Sequence, residues 1–257
     1  MSRAKARNVS VIAVTDHDTI AGLSAARQAA CDLGIGFVTG IEISACWRGG
    51  GVHIVGLGID PASPVLQAAV KSQQQVRVAR AAAIAARFEK LGFGNILPAV
   101  EMLAGEAAVG RLHFARYLVE IGKVKGIQQA FRQYLGSGKS ADVKYQWPHM
   151  TQVIAWIQAA GGLAVLAHPA KYDLTRSKMC ALVGEFAAAE GDAMEVVSGY
   201  QDGRMTADLA RIAEANGLLA SCGSDFHVPD QPWQELGNFE RLPALSRPVW
   251  QRWGFEA

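Results

Sequence analysis

Val11-Ile12-Ala13-Val14-Thr15-Asp16-His17-Asp18 is an apolar run that stops abruptly in three consecutive ionisable residues. The run has the length and content of a buried strand, and the acid-His-acid cluster falls where that strand would end. In α/β sheets and barrels, the loops beyond the carboxyl ends of parallel strands are where ligands and metals are held. Asp and His also serve in turns and at helix starts, and Asp18 ahead of Thr19-Ile20 has the form of a helix cap. Eight residues therefore leave a site and a cap both open. The site gains weight because other apolar runs in the chain end the same way.

Working outward, residues 19–33 are Ala-rich with apolar positions at helical spacing and close on Gly34. Residues 37–44 read as a second strand carrying Glu42 between Ile41 and Ile43. A carboxylate buried there costs several kcal/mol unless something cationic meets it. The alternative is an alternating strand with Glu42 in solvent, and the strand alone does not decide. Trp47-Arg48-Gly49-Gly50-Gly51 is suited to chain reversal, and residues 52–57 alternate again, so a hairpin would set His53 beside Glu42.

Pro61 and Pro64 mark a break, after which residues 65–91 form one long helical pattern, with shorter helical pieces over 99–103, 111–121 and 127–135. No strand-like run interrupts them, so residues 63–144 are expected to be a helical insertion between barrel segments 1–62 and 145–257. Inside it, Arg111 and His113 stand two apart, on different helix faces unless they lie in a first turn; a solvated or core-satisfied His113 is the plain alternative.

The strand-helix rhythm returns beyond Pro148. Helical patterns over 151–160, 177–190 and 205–215 alternate with strands over 163–167, 193–197 and 218–222. The first of these strands ends in His168-Pro169, and Pro169 cannot continue a ladder. The last runs into Gly223-Ser224-Asp225-Phe226-His227, again an apolar strand ending in an acid and a histidine.

Composition narrows the partners. With 257 residues, 50% hydrophobic and 19% charged, the chain can bury a large core as one α/β barrel. A net charge of +2 is too mild to imply duplex DNA binding. Cys31, Cys46, Cys180 and Cys222 are scattered without C-x-x-C spacing, which indicates neither a disulfide framework nor a thiolate zinc site and leaves a reducing cytoplasm as the expected location. The apolar patch at 9–14 is too short for a signal-peptide core, and no run approaches a membrane span.

Four of the six histidines, His17, His53, His168 and His227, sit at expected strand ends, alongside Asp16, Glu42 and Asp225. Strand ends of a closed sheet converge on one face, so the seven residues read as one cluster. Imidazoles and carboxylates without thiolates suit Mn, Zn or Fe. More than four such ligands imply more than one ion, the arrangement used in phosphoryl transfer.

Thr15-Asp16-His17-Asp18, Gly40-Ile41-Glu42-Ile43-Ser44, His53-Ile54-Val55-Gly56, Ala167-His168-Pro169 and Ser224-Asp225-Phe226-His227, in that order, resemble the successive motifs of the PHP (polymerase and histidinol phosphatase) family of metal-dependent phosphoesterases. With Arg111-Leu112-His113-Phe114-Ala115-Arg116 the chain is similar to the branch containing nucleoside 3′,5′-bisphosphate phosphatase and the 5′-to-3′ exoribonuclease called RNase AM. The resemblance implies a distorted seven-stranded βα barrel with a trinuclear metal centre. By it, Asp16, His17 and His227 hold one metal, and Glu42, His53 and His168 a second, with Glu42 bridging to a third that Asp225 also binds. Asp225 or His227 passes a proton to the leaving oxygen. Arg111, His113, Lys139 and Lys171 are the implied phosphate contacts, Lys171 standing where the branch often has Arg and giving less directional grip.

One departure bears on the fold. The family's Asp-x-His-x-His segment is absent, since no H-x-H exists in the chain. The expected fold is therefore the barrel lacking its first strand, as an incomplete product of a misassigned start or a truncated gene, with fewer than three well-held metals. The expected substrates are nucleoside 3′,5′-bisphosphates or short 5′-phosphorylated RNA. The alternatives are another small phosphate ester such as histidinol phosphate, or an inactive fragment.

Overall fold

The computed structural model describes residues 1–105, 108–144, 147–229 and 231–255. It divides into two compact units, Met1–Ala69 with Pro148–Ala257, and Val70–Trp147. Tyr145, where the sequence places the return to the barrel, lies outside the described residues.

The first unit is built on a curled sheet of six strands whose hydrogen-bonded order follows the chain. The elements begin with α1 (Ser2–Ala6), β1 (Val11–Val14), α2 (Leu23–Leu33), β2 (Gly36–Trp47), β3 (Gly50–Leu57) and α3 (Pro64–Lys90), which runs on into the second unit. After the second unit come α7 (Met150–Ala159), β4 (Leu163–Leu166), α8 (Arg176–Ala188), β5 (Ala193–Ser198), α9 (Gly203–Ala215) and β6 (Leu219–Gly223), the labels α4 to α6 belonging to helices of the second unit. β1 pairs β2 in parallel, β2, β3 and β4 pair antiparallel, and β4, β5 and β6 run parallel.

Period-2 alternation assigns the two faces. Ile41, Ile43, Ile54, Ala164 and Leu166 lie on one face and are all but inaccessible to solvent. On that face a Cβ at Gly56 would come 3.1 Å from Ile157 of α7, so the missing side chain is what admits the helix. The other face carries Val11, Ala13, Val38, Val55, Leu57, Val165, Ala167, Ala193 and Leu219, covered by Val249, Trp250, Trp253 and Phe255. Fully burying such side chains contributes about 1.5–3 kcal/mol each. Glu42 and His53 continue this second face beyond its apolar part, two positions on from Gly40 and Val55 respectively.

The structure sharpens three expectations. β2 extends to Trp47, and the reversal shrinks to Arg48-Gly49, both with positive φ (46° and 77°), the pattern of a two-residue type I′ hairpin. α2 starts only at Leu23, because residues 19–22 are held in a turn by the Ala21 N–H donating to Thr19 Oγ1. Asp18 therefore caps no helix; its carboxylate instead accepts from the backbone N–H and hydroxyl of Ser44, at 2.8 and 2.9 Å.

The second unit is helical among its described residues: most of α3, then α4 (Leu97–Ala104), α5 (Arg111–Glu120), α6 (Ile127–Ala130) and a π-helical turn, Phe131–Leu135. Its core gathers Phe88, Phe114, Leu118 and Leu135, with the Phe88 and Phe114 rings stacked at 6.0 Å. No helix among the described residues is long and apolar enough to cross a membrane.

α1 is fastened to the segment after β6. Arg3 donates to both oxygens of buried Glu235, at 2.9 and 2.5 Å, and Arg7 adds a third contact at 3.3 Å. The Arg3 guanidinium also lies 5.8 Å from the Phe226 ring centroid, between Asp225 and His227 in the chain. These arginines hold the Glu235 carboxyl down at about 2, from an ordinary 4.5. The folded state thus binds this proton less tightly than the unfolded one, so the stabilisation is complete above pH 4.5 and is given up as pH falls toward 2. Glu235→Gln is expected to lower the melting temperature at pH 7 and to differ little from the parent near pH 2. An equal deficit at both pH values in thermal melts would sink this assignment.

Candidate metal centre

The β1 ladder does not stop where the strand does. The Glu42 N–H donates to the Asp16 carbonyl at 3.2 Å and the Asp18 N–H to the Glu42 carbonyl at 2.8 Å, a parallel bridge that sets His17 beside Glu42. From the other side, Val55 is the direct partner of Glu42 in the hairpin and His53 the diagonal one on the same face. His168 follows β4 with φ 28°, its N–H donating to Glu195 Oε2 at 2.6 Å. The registers of β1, β3 and β4 thus bring three imidazoles around one buried carboxylate.

The two oxygens of Glu42 divide them. Oε1 lies 2.7 Å from His53 Nδ1 and 3.0 Å from His168 Nε2, and Oε2 lies 3.7 Å from His17 Nδ1. His53 Nδ1 and His168 Nε2 are 3.2 Å apart. Ligand atoms about 2.0–2.2 Å from one ion stand roughly 3.0–3.5 Å from each other, so these separations fit donors around a common cation. His17, Glu42 and His53 each offer a ligand atom, all within 4.8 Å of one another. The imidazoles form a row: ring centroids are 5.1 Å apart for His168–His53, 4.9 Å for His53–His17 and 5.7 Å for His17–His227.

The charges of the cluster are coupled. Burial alone would push the Glu42 carboxyl up, but the charge of His17 and the bonds from His168 and His53 hold it well below its ordinary 4.5. Burial would lower the His168 imidazole, yet Glu42, Glu195 and Asp225 raise it. His168 Nδ1 is buried with no partner among the described residues. His227 Nδ1 lies 2.9 Å from the Asp225 carbonyl, which only accepts, so Nδ1 carries the proton and Nε2 keeps its lone pair for a ligand. Burial raises the Asp16 carboxyl, partly offset by His227 nearby. Asp18, His168 and Asp225 all have positive φ, a strained geometry that is concentrated at functional sites.

All seven residues expected as ligands thus lie in or beside one cluster, with Asp16 and His227 at the His17 end. Lys171 pairs its ammonium with Asp225 Oδ2, which also accepts from Gln234 Nε2 at 2.8 Å. In the second unit, Arg111 and His113 occupy the first and third positions of α5, the first-turn arrangement that two-residue spacing requires. The His113 Nδ1 accepts from the Gly110 N–H at 3.0 Å, a capping role, and burial with Arg116 and Arg77 nearby lowers its imidazole. Arg111 is lowered mainly by burial, and Arg80, pushed down to about 10 by burial and by the charges of Arg111 and Arg77, has a buried Nε without a partner among the described residues. Arg77 and Arg80 both lie 5.6 Å from the Trp147 ring. Lys139 is exposed in the turn after the π-helical segment.

Sequence reasoning missed three supports. Glu195 orients His168, and burial raises its carboxyl to about 7. Tyr172 clamps two strands: its hydroxyl accepts from the His53 N–H at 2.9 Å and donates to the Ala167 carbonyl at 2.8 Å. Gln234 holds Asp225. Glu195 alone carried a signal, an acid inside the apolar strand Met194-Glu195-Val196 just as Glu42 sits inside β2.

No family profile matches the chain, but individual proteins do. It is 44% identical over 250 residues to a 5′-3′ exoribonuclease of Haemophilus influenzae, covering 97% of this chain and 90% of the relative. It is 41% identical over 252 residues to a 3′,5′-nucleoside bisphosphate phosphatase of Chromobacterium violaceum, covering 98% and 88%. Among solved structures, an amidohydrolase from Chromobacterium violaceum with bound sulfate aligns at TM-score 0.92 and 41% identity over 98% of this chain and 88% of that one. A metal-dependent phosphoesterase structure from Bifidobacterium adolescentis, described there as putative, aligns at TM-score 0.80 and 25% identity, covering 90% and 82%.

The chain belongs to the PHP family of metal-dependent phosphoesterases.

As a PHP protein it is a hydrolase whose chemistry calls for a divalent metal, and His17, Glu42 and His53 form a group that could hold one. Among the described residues its sheet is a curled half-barrel of six strands, the fold class expected of a PHP protein.

Proposed function

We propose that this chain hydrolyses phosphate esters of nucleotides, releasing the 3′-phosphate of nucleoside 3′,5′-bisphosphates and shortening 5′-phosphorylated RNA from its 5′ end. The observation that carries the reading is the division of Glu42, one oxygen toward His53 and His168 and the other toward His17, which would let one buried carboxylate serve metal donors on both of its sides. The substrate class is supported by the relatives' names.

Asp16, His17 and His227 would hold one metal, and Glu42, His53 and His168 another, with Asp225 beside them. Mn, Zn and Fe suit these N and O donors. When bound, such ions supply Lewis-acid stabilisation of charge developing at phosphorus. The chain's own part is to fix donors and to place proton-carrying groups. Glu195 and Tyr172 hold His168 and His53 in place, and the carbonyl of Asp225 sets the His227 tautomer. Asp225 and His227 are assigned to pass a proton to the leaving oxygen. Lys171 and, in the second unit, Arg111 with His113 and Lys139 are assigned to phosphate.

The test is phosphate release from adenosine 3′,5′-bisphosphate and mononucleotide release from 5′-phosphorylated RNA by Mn-loaded protein, with histidinol phosphate as the rival substrate. Turnover of the two nucleotide substrates, lost on chelation, is expected. Preference for histidinol phosphate would overturn the substrate class, and bound metal without turnover would favour a protein that only binds. Arg111→Ala is expected to weaken binding of the bisphosphate by about 1.5–3 kcal/mol more than that of a substrate lacking the 5′-phosphate. Equal losses on both would remove Arg111 from that role.

A further inference from the structure

Two large aromatic side chains stand in solvent beside the metal centre. Tyr200 is 79% exposed and Trp233 51% exposed, and they are the aromatic members of the large exposed hydrophobics among the described residues. They are far apart in sequence yet their backbones touch: the Tyr200 N–H donates to the Trp233 carbonyl at 2.8 Å. The approach depends on Gly199, at φ 62°, where a Cβ would fall 2.7 Å from that same carbonyl oxygen. The Gly199 N–H donates to the Gly223 carbonyl at 2.8 Å, which ties the pair to the end of β6, and the residue after Trp233, Gln234, holds the Asp225 carboxylate. Tyr200 itself follows the carboxyl end of β5, on the same end of the parallel strands as His168 and Asp225.

Single exposed apolar residues need no explanation, but two exposed aromatics whose backbones are hydrogen-bonded beside the segment that holds Asp225 do. We propose that Tyr200 and Trp233 form a stacking platform for a base of the nucleotide whose phosphate is hydrolysed at the metal centre. The inference rests on the function proposed above and adds to it a residue pair that distinguishes nucleotides from other phosphate esters. Every nucleobase offers a π face, so stacking grips the ligand without reading its sequence, which is what stepwise removal of nucleotides requires. Because the backbone that presents Trp233 also presents Gln234, a base on the platform lies next to the segment that orients Asp225.

The test compares adenosine 3′,5′-bisphosphate with ribose 3,5-bisphosphate, the same phosphates without a base. In Trp233→Ala the KM for the nucleotide should rise by about 5- to 100-fold relative to that for the base-free compound, Tyr200→Ala should shift the ratio in the same direction, and Trp233→Phe should retain most of the preference. A purely structural role, acting through Gln234 and Asp225, would lower kcat on both compounds and leave the ratio where it was; that result, or a parent protein with no preference for the nucleotide, overturns the proposal. Calorimetric binding of both compounds to metal-loaded protein reads the same ratio without turnover. A protein that hydrolyses neither compound but loses its preference for the nucleotide in Trp233→Ala would refute the hydrolase reading and leave the platform standing.

Discussion

Glu42→Gln is expected to strip the centre of metal and to lower hydrolysis at least about a thousandfold, some 4 kcal/mol of transition-state stabilisation. Glutamine keeps the shape but removes the charge that faces His17, His53 and His168. Its amide also presents N–H groups to at least one of those imidazoles, where a cation should stand. The fold should persist, because the apolar layers around Ile41 and Ile43 are untouched. Elemental analysis alongside an activity assay decides the matter; a variant with the parent's metal content would show that Glu42 is no ligand.

Asp18→Ala should have the largest effect on stability, about 3–5 kcal/mol. Asp18 is fully buried, and its carboxylate accepts from both the N–H and the hydroxyl of Ser44, charged bonds worth roughly 1.5–3 kcal/mol each. Alanine leaves those donors without their acceptor and also suits φ 53° poorly, a region Asp and Asn tolerate. Asp18→Asn, which keeps an acceptor and the backbone preference, should cost markedly less. Denaturant melts of the two variants test this; indistinguishable midpoints would mean that the carboxylate does not fasten β2.

The contrast between these two acids explains what was legible in the sequence. β1, the β2–β3 hairpin, the helical segments and the strand-terminal histidines were legible because each is written locally, in alternation, in glycine-rich reversals, or in an apolar run broken by a charge. Glu42 stayed ambiguous because one strand cannot say which of its faces is covered; the answer came from His17 and His53 on neighbouring strands. Asp18 stayed open between a site residue and a helix cap, because the partner that decides against the cap, Ser44, lies 26 residues away. Tyr172 and Gln234 left no signal, because clamping strand backbones or a distant carboxylate is a property of the assembled sheet. Lys171 was recognised as a cation near the site, but its pairing with Asp225, 54 residues on, was not.

The twelve-residue strand β2 acts as a ruler for the whole centre. Its pairing with β1 places His17, and its pairing with β3 places His53, both measured from Glu42. Side chains alternate along a strand, so adding or deleting one residue ahead of Glu42 would turn its carboxylate toward the helix-covered face. The same change at Arg48-Gly49 would alter only the length of an exposed reversal. Descent with variation can therefore lengthen the turn, whereas the residues from Gly36 up to Glu42 cannot change in number without turning the carboxylate away from the centre.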